Sequence, residues 1–292
     1  LFQPTAAAGP LFAAMRAGMR DGAPWRRVLR TLWAAVVHGG WWVVIGLVPA
    51  VIAGAFVAAR QHATTPSDWV VVAAIAASGV LIGAIWRLAH VLRRVLPRQG
   101  FGMCVGLTSR GSAEPGLTDW LYDELQTLAG IDRAQPLNFA TLRHHGIDLQ
   151  VVTTCLTHGR PYGLPGLRRT LYFDPREFRE LFPPEVVADL VRRAEQRVAD
   201  DQGRARRARE HECMRPRLPL PRGDDLPVIV AVRMSLSFPL LLSAVPLWDY
   251  DWGERAVDGE AVDAALPTPE RIWFSDGGIS SNFPIHLFDA PR

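Results

Sequence analysis

Arg271-Ile272-Trp273-Phe274-Ser275-Asp276-Gly277-Gly278 sets an apolar run against an acid and two glycines. The run predicts a strand, and the paired glycines predict a tight turn directly behind it. In open α/β sheets, catalytic groups gather where strands end and loops begin. An acid at such a point orients or deprotonates a nucleophile, and glycine beside it lets substrate approach the backbone. The same three residues also spell an ordinary turn. Their neighbours therefore carry the choice.

Upstream stands Val230-Ala231-Val232-Arg233-Met234-Ser235-Leu236-Ser237-Phe238-Pro239. Downstream come Ile279-Ser280-Ser281-Asn282-Phe283-Pro284, and earlier still the stretch Thr153-Thr154-Cys155-Leu156-Thr157-His158-Gly159. This succession resembles the C-terminal half of patatin-like phospholipases. Arg233, Ser235, Ser237 and Pro239 fill the family's Arg-Ser-Pro segment, and Asp276 to Gly278 fill its D-G-(G/A). Asn282 and Pro284 fill the N-x-P that follows. The resemblance covers roughly residues 100 to 292. It implies a three-layer α/β/α domain and a Ser-Asp dyad, with Asp276 as the base. Arg233, Ser235 and Asn282 are implied as possible support. It further implies an acyl ester of a membrane phospholipid or other lipid as substrate, and no cofactor.

The dyad's serine belongs to a G-x-S-x-G elbow in the family, and residues 1–292 contain no such elbow. The chain opens at Leu1 rather than at Met. The hydrolase domain is thus expected to be incomplete at its N-terminus, with the nucleophile upstream and the chain inactive by itself. The rival expectation is a non-catalytic, membrane-associated scaffold or binding protein that kept the fold and lost the nucleophile.

Two uncharged runs precede residue 90. Thr31 to Ala59 holds 29 residues without Asp, Glu, Lys or Arg, and Trp69 to Trp86 holds 18. A membrane-spanning helix takes about 20 apolar residues. The runs predict a helical hairpin, with helices at about 31–59 and 69–89, that either spans a bilayer or packs as a buried soluble pair. The membrane reading is preferred on length and lack of charge. Five arginines (16, 20, 26, 27 and 30) precede the hairpin and four (87, 93, 94 and 98) follow it, while the link between holds Arg60 alone. By the positive-inside rule both ends face the cytoplasm. The expected organisation is a basic lead-in at 1–30, a transmembrane insert at 31–98 and the hydrolase half at 99–292, in a bacterial inner membrane.

The remainder predicts helices and strands in mixture. Leu117 to Gly130 reads as an amphipathic helix with Thr118 as N-cap, Asp148 to Cys155 as a strand, and Asp174-Pro175-Arg176-Glu177 as a capping box. A further helix is expected from about Glu185 toward Ala199. Residues 204 to 222 form a basic, then proline-rich surface segment, read either as an anionic-lipid contact or as a solvated helix end and loop.

Gly102-Met103-Cys104-Val105-Gly106 has the spacing of a cysteine elbow. No strand is expected before it and no good helix start after it, so Cys104 reads as a small buried residue. His144-His145 and the set Cys155, His158, His211 and Cys213 match no zinc spacing, so no metal is expected. His158 and His286 read as loop hydrogen-bonding residues, since the dyad needs no histidine. Although the net charge is +3 and every one of the 32 basic residues is arginine, these are scattered among 29 acids. No basic stripe with interleaved aromatics emerges, which argues against nucleic acid as a partner. Oligomeric state is not encoded in any of these patterns.

Overall fold

The computed structural model describes residues 1–19, 48–49, 51–52, 54–56, 66–167, 170–250 and 268–280. The chain divides into two compact units: Pro4–Gln99, and Leu1–Gln3 with Gly100–Arg292.

The first unit is helical where it is described. Helix α1, Gly9–Gly18, carries proline in its first turn, where a missing N–H leaves no bond unmade. Helix α2, Pro66–His90, runs into a π-helical turn at Val91–Val95 and a last turn, α3, at Leu96–Arg98. The expected end near residue 89 is therefore overrun. Leu and Arg are sound helix formers, and the π-helical turn sits just ahead of Pro97, whose ring removes a donor. Ala73–Arg98, 26 residues with mean hydropathy 1.7, is long and apolar enough to cross a bilayer. Val70 and Val71 just before this segment, and Leu81, Ile82, Ile85 and Trp86 within it, are exposed. Of the first apolar run, residues 48–49, 51–52 and 54–56 are helical, and the rest lies outside the described residues.

The second unit is the mixed α/β domain. It begins with β1 (Gly102–Cys104), α4 (Leu117–Ala129), α5 (Phe139–His144), β2 (Val151–Cys155) and β3 (Arg160–Leu164). There follow β4 (Tyr172–Phe173), α6 (Pro175–Arg179), α7 (Pro184–Asp201), α8 (Ala205–Met214) and β5 (Leu218–Pro219). Helix α9 (Val228–Ser235), β6 (Leu240–Leu242), β7 (Val245–Tyr250) and β8 (Pro269–Asp276) complete it. Strands β1 and β6 pair in parallel. The larger sheet runs β3-β2-β8-β7-β4-β5 and is antiparallel at every pairing.

Register follows the apolar alternation. Val245 of β7 lies opposite Phe274 of β8, and Leu247 opposite Ile272. All four are fully buried and join one core with Tyr122 of α4, Phe178 of α6, Leu190 of α7 and Met234 of α9. Each apolar side chain of this size removed from water contributes about 1.5–3 kcal/mol. Helix α9 is apolar on nearly every face and is buried accordingly, packed against β2 and β8. That contact holds the Arg233–Pro239 segment beside the end of β8.

Local expectations were met to different degrees. Gly130 ends α4 in the left-handed conformation (φ 64°), as a C′ glycine should. Asp174 caps α6 by accepting from the Arg176 amide, with Pro175 at N1. Its box partner Glu177 turns away, to Trp248 Nε1 and Arg271.

Thr118 is not the N-cap of α4, because Gly116 takes that place. The chain crosses there against Leu107 so closely that a Cβ on Gly116 would lie 2.3 Å from the Leu107 carbonyl carbon. That crossing fixes the helix start.

Residues 204–222 are also more ordered than a surface loop. They supply α8 and the edge strand β5, with Met214 buried among Tyr172 and Tyr250 and Arg217 stacked 3.5 Å over Trp248.

Candidate active site

Asp276 is the last residue of β8 and is half-buried. Strand pairing sets it opposite Thr153 of β2. Three bonds hold its backbone and head. Its amide donates to the Ser237 carbonyl (3.2 Å), its carbonyl accepts from Thr154 Oγ1 (2.8 Å), and its Oδ1 accepts from the Gly278 amide (2.8 Å). The last bond closes a short 3₁₀ turn over Gly277–Ile279. Among the described residues no donor reaches Oδ2. One carboxylate oxygen thus fixes the orientation of the group within the turn.

Gly277 is demanded by space rather than by an unusual φ. A Cβ there would lie 2.2 Å from the Val152 carbonyl oxygen and 3.4 Å from Ser235 Oγ. The backbone of β2 cannot swing aside as a side chain tip does. Gly277→Ala is expected to lower stability by about 1–3 kcal/mol through overpacking and to displace the Asp276 turn. A thermal midpoint indistinguishable from wild type would show that β2 yields after all.

The elements bring together most of what the sequence singled out. Asp276, Gly277 and Gly278 form the turn, and Ser235 ends α9 against Gly277. Arg233 lies two residues before Ser235 in α9 and is fully buried, donating to Ser237 Oγ (2.5 Å) and to the Val105 carbonyl (2.9 Å). Burial lowers its pKa to about 10, so it stays charged at neutral pH. Asn282 lies outside the described residues, as do Pro284 and His286.

Two features escaped the sequence reading. Thr153 and Thr154 turn their hydroxyls onto the carbonyls of Ser275 and Asp276, and Thr154 also meets Ser280 Oγ at 2.7 Å. Ser237 is a hub. Its carbonyl accepts from both the Asp276 amide and Ser275 Oγ (2.6 Å). The available signal was the adjacent pair of strand threonines, which are half-polar residues at positions a buried strand fills with valine.

Cys104 sits in a strand after all, since Gly102–Cys104 is β1 itself, parallel to β6. Three residues sufficed because Gly102 packs where a Cβ would lie 2.1 Å from the Ser243 amide nitrogen. No helix opens behind it; the next, α4, starts at Leu117. Cys104 is fully buried, and burial raises its thiol to about 11, the wrong direction for a nucleophile. His158 bonds Tyr162 OH at 2.9 Å, and His211 lies between Asp201 and Tyr172. Among the described residues no three His, Cys, Asp or Glu side chains gather as a metal site.

The RpoH suppressor of Rhizobium meliloti (strain 1021) is 37% identical over 255 residues, which cover 72% of this chain and 38% of that protein. The chain thus spans well under half the length of this relative. No solved structure matches it. Residues 87–289 match the patatin-like phospholipase family, a span that takes in α9, the Ser237 hub and the Asp276 turn. The chain belongs to that family.

Proposed function

We propose that the intact protein is a membrane-anchored lipid acyl hydrolase that works through a Ser-Asp dyad. Asp276 is its base, and its nucleophilic serine lies in a segment beyond these 292 residues. The observation that carries this reading is the Asp276 carboxylate at the strand end, with Oδ1 tied to Gly278 and no donor to Oδ2 among the described residues. In the proposed reaction Asp276 takes the serine proton as Oγ attacks the acyl carbonyl. The proton then passes to the departing lipid alcohol, and water releases the fatty acid in a second, equivalent step. No cofactor enters. The test is fatty-acid release from phospholipid micelles by the intact protein, with Asp276→Asn as its control. Absence of release from the wild-type protein would favour a non-catalytic scaffold, a reading that the lack of any G-x-S-x-G in residues 1–292 keeps in view.

The anchor is the apolar hairpin of residues 31–98, with both ends cytoplasmic and the hydrolase domain on that side. Tethering raises the effective concentration of the site at the surface where an insoluble substrate is held. The support is the exposed apolar rod at Ala73–Arg98 and the nine arginines that flank the runs against one in the link. A cysteine at Thr65 is expected to react with an impermeant thiol reagent in intact cells that lack an outer-membrane barrier. One placed near Arg98 should react only after lysis. The reverse labelling pattern would put the site on the other side.

A further inference from the structure

Arg233 is the largest fully buried side chain among the described residues, and no carboxylate pairs with it there. Its partners are neutral. Nη1 donates to Ser237 Oγ, which donates onward to the Arg233 carbonyl (2.8 Å), and Nη2 donates to the Val105 carbonyl. Nε has no hydrogen-bond partner among the described residues, and neither has the buried Thr118 Oγ1. The two atoms converge on Gly106, where a Cβ would lie 3.3 Å from Nε and 2.5 Å from Oγ1.

A charge buried without a counter-charge is costly, and an apolar side chain of similar volume often serves stability as well or better. What the guanidinium supplies is geometry. Its rigid fork ties two distant backbone segments at once, the loop after β1 and the turn after α9. From the second of these the path to Asp276 is a single residue long: the Ser237 carbonyl receives the Asp276 amide and the Ser275 hydroxyl.

We propose that Arg233 is a positioning residue for Asp276, fixing the Ser237 turn against the Val105–Gly106 loop so that the carboxylate keeps its angle toward the serine. This rests on Asp276 being the base. It assigns Arg233 a part in kcat rather than in substrate affinity or in folding. A displacement of the base by about an ångström costs up to roughly 100-fold in rate.

The test uses the intact protein in detergent with p-nitrophenyl butyrate as substrate, comparing Arg233→Met, Ser237→Ala, Arg233→Lys and Asp276→Asn. Arg233→Met is expected to fold with an unchanged or higher melting temperature. Its kcat should fall about 10- to 100-fold, with KM within about two-fold of wild type. Arg233→Lys keeps the charge but not the fork, and should recover less than half of the lost activity. If Arg233→Met does not fold, Ser237→Ala decides. It removes the acceptor of Nη1 at almost no change in volume, and a several-fold fall in kcat at constant KM supports the proposal. A wild-type kcat in folded Arg233→Met, or in Ser237→Ala where Met fails to fold, overturns it. So does full recovery in Arg233→Lys. An active Asp276→Asn variant overturns the base reading and this proposal together, whereas an inactive one beside a fully active Arg233→Met overturns the positioning role alone.

Discussion

Asp276→Asn in the intact protein is expected to lower acyl-ester hydrolysis by about 10²–10⁴-fold, the usual contribution of a general base. The substitution suits the site because Asn keeps the shape. Its Oδ1 still accepts from the Gly278 amide, so the turn over Gly277–Ile279 should close as before. The Thr154 and Ser237 bonds involve only the Asp276 backbone and are untouched. What is lost is the Oδ2 position that would take the serine proton. Loss of activity at a wild-type melting temperature therefore separates chemistry from folding. Cys104→Ser is the matched control: that thiol is buried and its pKa is raised to about 11, so activity should persist. Near-wild-type turnover by Asp276→Asn would leave Asp276 as a turn residue only.

How far the sequence went can be judged from these same residues. The end of β8 was legible because its signals are local: aromatic and β-branched residues ending in Asp-Gly-Gly need no partner to declare themselves. Gly130 and Asp174 were legible for the same reason, since a left-handed C′ position and an N-cap are set by one residue and its neighbours. Thr118 was misread because the start of α4 is set by a close crossing against Leu107, through a clearance that only glycine at position 116 allows. The antiparallel register of β2 and β8 sets Thr153 opposite Asp276 and Cys155 opposite Phe274, far apart in sequence, and periodicity within a strand cannot reveal which strand lies beside it. The Ser237 hub escaped for a related reason: its chemistry lies in a carbonyl, which every residue has. The family resemblance supplied what local pattern could not, by naming Arg233 and Ser235 together with Asp276 before their proximity was visible.

The other large expected effect concerns the apolar hairpin. The intact protein should stay in the pellet after alkaline carbonate washing, and deletion of residues 31–89 should move it to the supernatant. The argument is one of exposed area. Val70, Val71, Leu81, Ile82, Ile85 and Trp86 are all more than half exposed on a single rod, and Leu88 and Leu92 are nearly so. Only 18% of the apolar window is buried, whereas a core helix of a soluble domain hides its apolar faces. Leaving such side chains in water forgoes up to about 1.5–3 kcal/mol each, which over six residues is comparable with the whole stability of an ordinary domain. The proposed cover is a bilayer: a helical run of 26 residues, about 39 Å at 1.5 Å per residue, exceeds its roughly 30 Å hydrocarbon thickness. In the proposed anchor the flanking arginines would stand at the headgroup level, where their charge is solvated. Packing of the two apolar runs as a buried soluble pair is the competing solution, and it predicts the opposite fractionation: carbonate leaves the undeleted chain in the supernatant. Quantitative recovery of the undeleted protein in the soluble fraction would remove the anchor from the proposed function, and with it the reason for placing the Asp276 site at a lipid surface.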